Sequence, residues 1–183
     1  SKATRSDLAA LRANGWDIDL LAHHRAGGRI LGICGGYQML GRTIADPDGI
    51  EGEPGVSAGL GLLDIETTLE SVKQLRVEQA IHTASGLPIS GYHMHMGVTE
   101  GADRQRAFAS ISGALEGAIS ADGLVTGTYL HGLFAADAFR RAFLGNPASP
   151  DLGYEAGVER ALDDLAAHLQ THLDIDALLA LAE

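Results

Sequence analysis

The chain of 183 residues has the length of one ordinary domain. Its 13 Lys and Arg against 24 Asp and Glu give a net charge of −11, which argues against a nucleic-acid binder because neutralising phosphates needs a basic face. With 45% hydrophobic and 20% charged residues, the composition is that of a globular protein. The single cysteine, Cys34, excludes a disulfide within the chain, and no apolar stretch approaches the ~20 residues of a membrane span. We therefore predict a cytoplasmic protein that binds neither nucleic acid nor membrane.

The N-terminal part of the chain predicts helix, strand and helix in succession. Residues 6–26 follow a helical pattern with a break at Asn14-Gly15. Arg29–Ile33 is a short apolar run after two glycines, which is typical of a buried strand in a parallel sheet. A helix begins near Tyr37, and residues 42–61 contain turn signals that predict a loop.

The remainder of the chain predicts strands followed by helices. Short segments with alternating or β-branched residues favour five strands, at Leu62–Leu69, Lys73–Ile81, Ile89–Val98, Ala107–Ile111 and Leu124–Leu130. Helices are expected at Ala135–Leu144, Tyr154–Leu173 and Asp176–Leu181, of which the second is the most amphipathic. No repeat or low-complexity linker interrupts the pattern, so we predict one α/β domain over residues 1–183.

The stretch around Cys34 combines a strand, a sharp turn and a helix start. A nucleophile on such a turn is typical of the nucleophile elbow, in which glycines relieve crowding around a strained residue. Gly32, Gly35 and Gly36 supply them here. A helix N-terminus favours a thiolate, and the free N–H groups of Gly35 and Gly36 are suited to hold an oxyanion. A buried structural cysteine fits the same segment, so the segment alone leaves both alternatives open.

A thiolate nucleophile needs a base, and the chain has eight histidines. His131 follows the predicted strand Leu124–Leu130, at the edge where catalytic groups collect in open α/β sheets, and is the best-placed base. His93 and His95 alternate along another predicted strand and point to one face. The remaining histidines are predicted on surface helices or near a turn, without a motif: His23, His24, His82, His168 and His172. The last two have a spacing that suits a metal, but no third ligand is evident, so we favour a surface position.

The order of motifs resembles the class I, triad-type glutamine amidotransferases, in the branch found in cobyric acid synthases. The resemblance covers nearly the whole chain and is carried by the segments Ser1–Arg12, Gly32–Gly41, Gly59–Leu63, Gly91–Gly97 and Gly127–Phe134. It implies an α/β fold of the flavodoxin-like class I amidotransferase type, with an open central sheet and flanking helices. The family domain begins with strands that would precede Ser1, so the resemblance also implies that N-terminal strands are missing from residues 1–183.

The resemblance implies a role for each matched residue of the site. Cys34 would attack the side-chain amide of glutamine, and His131 would act as general base and acid. The residues that it implies for binding glutamine or its oxyanion are Gly35, Gln38, Tyr92 and His95. No metal is expected in the site.

Two positions depart from the family pattern. Leu133 stands where triad enzymes carry a glutamate, two residues after the histidine, which fits the Cys–His dyad of this branch. The group that orients His131 is therefore open, with a backbone carbonyl and an unassigned carboxylate as the alternatives. His93 stands at a position that is usually acidic, so the resemblance assigns it no role.

The resemblance also implies a partner, an ATP-using synthetase domain on the N-terminal side. No G-x-x-x-x-G-K-[ST] motif occurs in residues 1–183, so ATP and Mg²⁺ are expected in that domain and no cofactor is expected in this one. The implied reaction is ATP-dependent amidation of carboxylates on adenosylcobyrinic acid a,c-diamide in cobalamin biosynthesis. This chain would supply the ammonia and would meet the corrinoid only indirectly.

Two other functions remain as alternatives. A glutaminase subunit of another ATP-dependent amidoligase, of the lipid II isoglutaminyl synthase type, shares the motifs around Cys34 and His131. A non-catalytic α/β interaction module would keep only the fold, and the joint presence of Cys34 and His131 argues against it.

Overall fold

Two β-sheets with helices around them form the α/β fold of residues 3–145 and 153–181, which a computed structural model describes. The helices are α1 (Thr4–Ala13), α2 (Trp16–Arg25), α3 (Gly35–Leu40), α4 (Asp137–Leu144), α5 (Tyr154–His172) and α6 (Ile175–Ala180). The strands are β1 (Ile30–Ile33), β2 (Thr43–Asp46), β3 (Gly55–Ala58), β4 (Glu66–His82), β5 (Pro88–Glu100), β6 (Ala109–Ile111), β7 (Ala114–Glu116), β8 (Ala118–Ile119), β9 (Val125–Thr128) and β10 (Leu130–His131). The predicted fold class, an α/β sheet structure with flanking helices, is confirmed.

The smaller sheet has the strand order β1-β9-β8. Strand β1 runs parallel to β9, and all four residues of β9 are buried, as expected for strands covered on both faces. Within the described residues β1 pairs with β9 alone, so its other edge carries no strand. The strands expected before Ser1 stay a prediction.

The larger sheet is mixed and has the order β10-β5-β4-β2-β3, with β6 beside β4 and β7 beside β6. Only the β2–β4 pair is parallel among these described pairs, and the remaining pairs are antiparallel. Strands β4 and β5 form a long hairpin that carries residues 88–100 past the end of β1. This hairpin brings β5 against the turn that bears Cys34.

Two details of the predicted element order are wrong. Residues 42–61 contain the hairpin β2–β3 rather than a loop, because the turn signals around Asp46–Gly49 occupy only its tip. These four-residue strands are stabilised by pairing with each other and with β4, which no local pattern reports. The strands predicted at Leu62–Leu69 and Lys73–Ile81 are one strand, since the irregularity between Thr68 and Lys73 is a bulge that shifts the register without ending the strand.

One cluster of the core is built around α3. Tyr37 of this helix is 1% exposed and packs edge-on to Tyr129, with 4.9 Å between the ring centroids. The ring of Tyr37 also contacts Gly127 of β9. A Cβ on Gly127 would lie 1.9 Å from Cδ2 of this ring. The position therefore requires glycine for close approach rather than for an unusual backbone conformation.

The C-terminal amphipathic helix is confirmed as α5, but none of its described residues is buried. Its apolar stripe is 38% to 53% exposed and consists of Val158, Leu162, Leu165 and Leu169. In the described part of the chain, no helix is both long and apolar enough to cross a membrane.

The contact between α3 and β9 can be tested with a single methyl group. Gly127→Ala places that methyl group 1.9 Å from Cδ2 of Tyr37, a steric clash. Overpacking of this kind typically lowers the free energy of unfolding by about 1–3 kcal/mol. The matched control is Gly157→Ala in α5, where a Cβ meets only the tip of Arg160 at 4.0 Å and should not lower stability. Urea unfolding followed by circular dichroism measures both. Equal stability of the two variants would contradict the packing described here.

Candidate active site

Cys34 lies on the sharp turn between β1 and α3. Its φ of 56° is positive, a region that few residues other than glycine adopt. The backbone holds this conformation from both sides: Cys34 N–H donates to the Thr128 carbonyl at 2.9 Å, and the Cys34 carbonyl accepts from Gln38 N–H at 3.2 Å. Gly32 cannot carry a side chain, since its Cβ would lie 2.7 Å from the Gly36 carbonyl oxygen. The strand, strained turn and helix predicted from the sequence are confirmed, and the nucleophilic role of Cys34 stays a prediction.

The thiol of Cys34 faces the edge of β5. The residue is 8% exposed, and its Sγ donates to the carbonyl oxygen of Met94 at 3.3 Å. Strand β10 pairs with β5 only at Tyr92 and His93, so the next carbonyls along β5 are left for other partners. The carbonyl oxygen of Met94 accepts from the thiol of Cys34. The carbonyl oxygen of Met96, two residues later, accepts from Nε2 of Gln38 at 3.1 Å.

His131 ends β10 and lies beside the same segment of β5. It pairs in register with Tyr92, and the two rings stack with 5.0 Å between centroids and 10° between planes. Its Nε2 is buried and has no hydrogen-bond partner within the described chain. Burial lowers the pKa of His131, and the nearby backbone of Met94 opposes this in part. The ring is therefore mainly neutral at pH 7, as a base must be.

The predicted nucleophile and base lie beside the same segment of β5. The thiol of Cys34 donates to the Met94 carbonyl, and the Met94 backbone is close enough to His131 to act on the pKa of its ring. Which group orients His131, a backbone carbonyl or a carboxylate, stays open. Gly35 follows Cys34 in the first turn of α3, where N–H groups have no acceptor within the helix. The structure thus brings four predicted residues to the same part of β5: Cys34, Gly35, Tyr92 and His131.

His93 and His95 lie on the opposite face of β5. Their rings meet edge-on, 5.5 Å apart, which confirms the predicted common face. His95 stacks on Tyr129 with 3.8 Å between centroids, and its Nδ1 is buried without a partner within the described chain. Burial, followed by the charges of neighbouring histidines, lowers the pKa of His95 to about 4, so this ring is neutral at pH 7. Since Tyr92 and His131 lie on the other face, the role of His95 in binding glutamine stays a prediction.

Gln38 is a buried side chain whose amide is already engaged. Its Oε1 accepts from the hydroxyl of Thr4 at 3.0 Å, and its Nε2 donates to the carbonyl of Met96 and to the hydroxyl of Tyr129 at 3.2 Å. The amide therefore ties α1, β5 and the segment after β9 to α3. Contact between Gln38 and a bound glutamine would require one of these bonds to exchange, and this role stays a prediction.

Glu116 is a buried carboxylate that no sequence pattern indicated. Its two oxygens accept from the Thr128 hydroxyl at 2.8 Å and from Tyr129 N–H at 2.7 Å, and Oε1 lies 3.7 Å from Nε2 of His93. Glu116 thereby fixes the short segment between β9 and β10 that leads into His131. It sits at the end of a three-residue strand with no motif around it, so no sequence signal could have found it.

A cavity of about 310 Å³ opens on this second face of β5. Three of the side chains that line it carry buried polar atoms that make no hydrogen bond within the described chain, the hydroxyl of Tyr37, Nε2 of His93 and Nδ1 of His95. Burial raises the pKa of Tyr37, so its hydroxyl stays protonated. The cavity therefore offers hydrogen-bonding groups to a small polar occupant such as water.

The other five histidines lie on other elements. His23 and His24 lie on α2, and His82 packs among buried phenylalanines at the end of β4, a position its sequence context did not predict. His168 and His172 lie on the exposed helix α5 with 4.4 Å between their rings. Among residues 3–145 and 153–181, no group of three His, Cys, Asp or Glu side chains is placed to hold a metal ion. The predicted absence of a metal or cofactor from this domain stays a prediction.

The low pKa of His95 has a consequence for stability. Its value in the fold, about 4, is below the 6.5 of an ordinary histidine, so the unfolded state binds an extra proton between these pH values. The free energy of unfolding is therefore unaffected by His95 above pH 6.5 and decreases as the pH falls from 6.5 towards 4. We expect His95→Gln to flatten the fall in urea midpoint over this range, whereas His168→Gln on exposed α5 leaves it unchanged. An equal slope in both variants would contradict this assignment.

Comparison with known proteins agrees with these features. A family model described as the CobB/CobQ-like glutamine amidotransferase domain matches residues 1–139. Proteins named cobyric acid synthase are 61% identical in Cereibacter sphaeroides, 62% in Rhodobacter capsulatus and 58% in Bradyrhizobium diazoefficiens. Each alignment covers 100% of this chain but 38% of the relative, so the chain spans little more than a third of the length of these relatives.

The family match includes both the turn that carries Cys34 and the strand end that carries His131. The match extends over more than half of the chain, and the α/β fold agrees with the fold that the resemblance implies. The chain belongs to the CobB/CobQ-like glutamine amidotransferase family.

Proposed function

We propose that this chain hydrolyses glutamine to glutamate and ammonia, with Cys34 as nucleophile and His131 as general base and acid. The observation that carries the proposal is that a buried thiol on a strained turn and a neutral histidine lie against the same segment of β5, the thiol at the Met94 carbonyl and the histidine opposite Tyr92. A structural cysteine has no need of a positive φ, whose strain is typical of functional positions. The family match supports the same reaction.

The proposed chemistry proceeds through a thioester. His131 takes the proton of the Cys34 thiol as sulfur attacks the side-chain carbonyl carbon of glutamine, and then gives that proton to the departing amine, which leaves as ammonia. A water molecule next attacks the thioester while His131 takes its proton. Collapse of the second tetrahedral intermediate breaks the C–S bond, returns the proton to sulfur and releases glutamate. The sum is glutamine plus water giving glutamate plus ammonia.

The first turn of α3 is the proposed site for the negative charge that develops on the substrate oxygen. The N–H groups of Gly35 and Gly36 follow the nucleophile directly and have no acceptor within the helix. No Cβ occupies either position, so the substrate carbonyl can approach the backbone closely. Two such donors would stabilise the oxyanion more than the neutral carbonyl.

We further propose that the ammonia serves an ATP-dependent amidation of corrinoid carboxylates, from adenosylcobyrinic acid a,c-diamide to adenosylcobyric acid. The relatives that carry the name cobyric acid synthase support this, and they extend well beyond the region matched by this chain. The partner would then be a synthetase domain that holds ATP, Mg²⁺ and the corrinoid. Because ATP is a cytoplasmic cosubstrate, we place the reaction in the cytoplasm.

The alternative of a lipid II type amidoligase is less well supported. Its glutaminase shares the short motifs around Cys34 and His131, but the relatives described above carry the name of the corrinoid enzyme over 100% of this chain. A non-catalytic module would have no use for a neutral histidine and a strained cysteine against the same segment of β5.

Replacing the nucleophile separates the two proposed activities. In the full-length protein, Cys34→Ala should abolish glutamine hydrolysis and glutamine-dependent amidation, because no thioester can form. Amidation with added ammonium salt should persist at a rate close to that of the unchanged protein, since the synthetase reaction does not use Cys34. Product is measured by chromatography of the corrinoid with each nitrogen source. Retention of glutamine-dependent amidation by Cys34→Ala would sink the proposal.

Replacing the base tests the second role. His131→Gln should lower kcat for glutamine hydrolysis by a factor on the order of 10² or more, as expected for loss of a general base. The matched control is His24→Gln on α2, which should keep full activity. In the unchanged protein, kcat/KM should hold at pH 7 and decline only below pH 6.5, because the pKa of His131 is lowered and the base is lost when the ring is protonated. Activity that declines already above pH 7 would contradict a neutral His131.

A further inference from the structure

Among residues 3–145 and 153–181, no carboxylate forms an ion pair or a hydrogen bond with His131 as one does with the histidine of a catalytic triad. Leu133, two residues after His131, is 1% exposed and belongs to the hydrophobic core. The buried carboxylate of Glu116 serves Thr128 and the backbone of Tyr129. The histidine that Glu116 approaches is His93, on the face of β5 opposite to His131.

Tyr92 occupies the place beside His131 that a third residue would take. The two residues are directly opposite each other in the β5–β10 pair, so their side chains project from the same face of the sheet. The rings are nearly parallel, at 10°, with 5.0 Å between centroids. One face of the imidazole is therefore covered by the phenol ring, which prevents the imidazole from turning out of this plane on that side.

Two glycines make this stacking possible. A Cβ on Gly91 would lie 2.4 Å from the carbonyl oxygen of His131, so only glycine lets β10 approach β5 at this point. Gly132 has a φ of +75°, and the position of its missing Cβ is 3.8 Å from Cε1 of Tyr92. The chain thus turns away directly after His131, beneath the edge of the tyrosine ring.

The stacked pair lies beside the nucleophile. The backbone of Met94, two residues along β5 from Tyr92, is close enough to His131 to act on the pKa of its ring, and the Met94 carbonyl accepts from the thiol of Cys34 at 3.3 Å. Tyr92 itself is 39% exposed.

We propose that Tyr92 is a positioning residue for His131, replacing by ring stacking the orientation that a carboxylate gives in a triad. This inference rests on the proposed function, in which His131 is the base for Cys34. It changes the role expected for Tyr92, from a contact with glutamine to a contact with the base.

The test compares Tyr92→Phe with Tyr92→Ala and Tyr92→Leu in the full-length protein, by steady-state glutamine hydrolysis. Phenylalanine keeps the stacked ring, so we expect kcat within about twofold of the unchanged protein. Alanine and leucine remove it, and we expect kcat to fall about tenfold or more with little change in KM, since misplacement of a catalytic group costs rate rather than binding. The acid limb of the pH profile should move to higher pH in Tyr92→Ala, because opening His131 to water relieves the burial that lowers its pKa.

The matched control is Val77→Ala, which trims the exposed residue opposite Tyr92 on β4 and leaves His131 untouched. It should keep both kcat and the pH profile. Thermal unfolding of each variant separates loss of fold from loss of orientation. If Tyr92→Phe loses as much kcat as Tyr92→Ala, or if the substitutions raise KM alone, Tyr92 does not position His131. Glutamine hydrolysis that survives Cys34→Ala would instead overturn the proposed function and leave the Tyr92 variants without a bearing on it.

Discussion

The positive φ of Cys34 is the constraint on which the rest of the site depends. A residue with a Cβ adopts this conformation at a cost, so the surrounding structure must hold it. Pairing of β1 with β9 does this on one side, through the bond from Cys34 N–H to the Thr128 carbonyl. The first turn of α3 does it on the other, through the bond from Gln38 N–H. The thiol is thereby aimed at β5 rather than into the core.

Strand β9, which pairs with β1, also provides the contact for the aromatic residues next to the turn. Tyr37 fills the space over Gly127, and Tyr129 links this layer to β5 through Gln38 and His95. A shift of α3 would therefore disturb both the elbow and the strand that carries Met94. Glu116 further restrains Cys34 through Thr128. It accepts from the Thr128 hydroxyl, and the Thr128 carbonyl accepts from Cys34 N–H. The geometry of the nucleophile is a property of the packed layer and not of the turn alone.

The sequence predicted the parts of the site that depend on local pattern. Glycines around a cysteine between an apolar run and a helix start predicted the sharp turn at Cys34, and His131 follows a predicted strand. The common face of His93 and His95 followed from the period of two residues in a strand. The family resemblance then connected these segments, and the family match agrees with it.

The missed features depend on tertiary contacts. The hairpin β2–β3 is too short and rich in turn residues to give a strand pattern, and it forms because β4 supplies a partner. The stacking of Tyr92 on His131 requires the register of β5 and β10, which are far apart in the chain. The Met94 carbonyl is a backbone group, so the identity of its side chain carries no information about it. Glu116 acts through buried hydrogen bonds that only the folded chain brings together.

Cys34 is both the single thiol of the chain and a buried one, 8% exposed. Any reagent that modifies thiols therefore reports one position of this chain. The rate of modification, measured against the rate for the unfolded chain, gives the protection that the fold places on that position. Because Cys34 is held by β9 on one side and by α3 on the other, a substitution that loosens the β1–α3 junction should raise this rate.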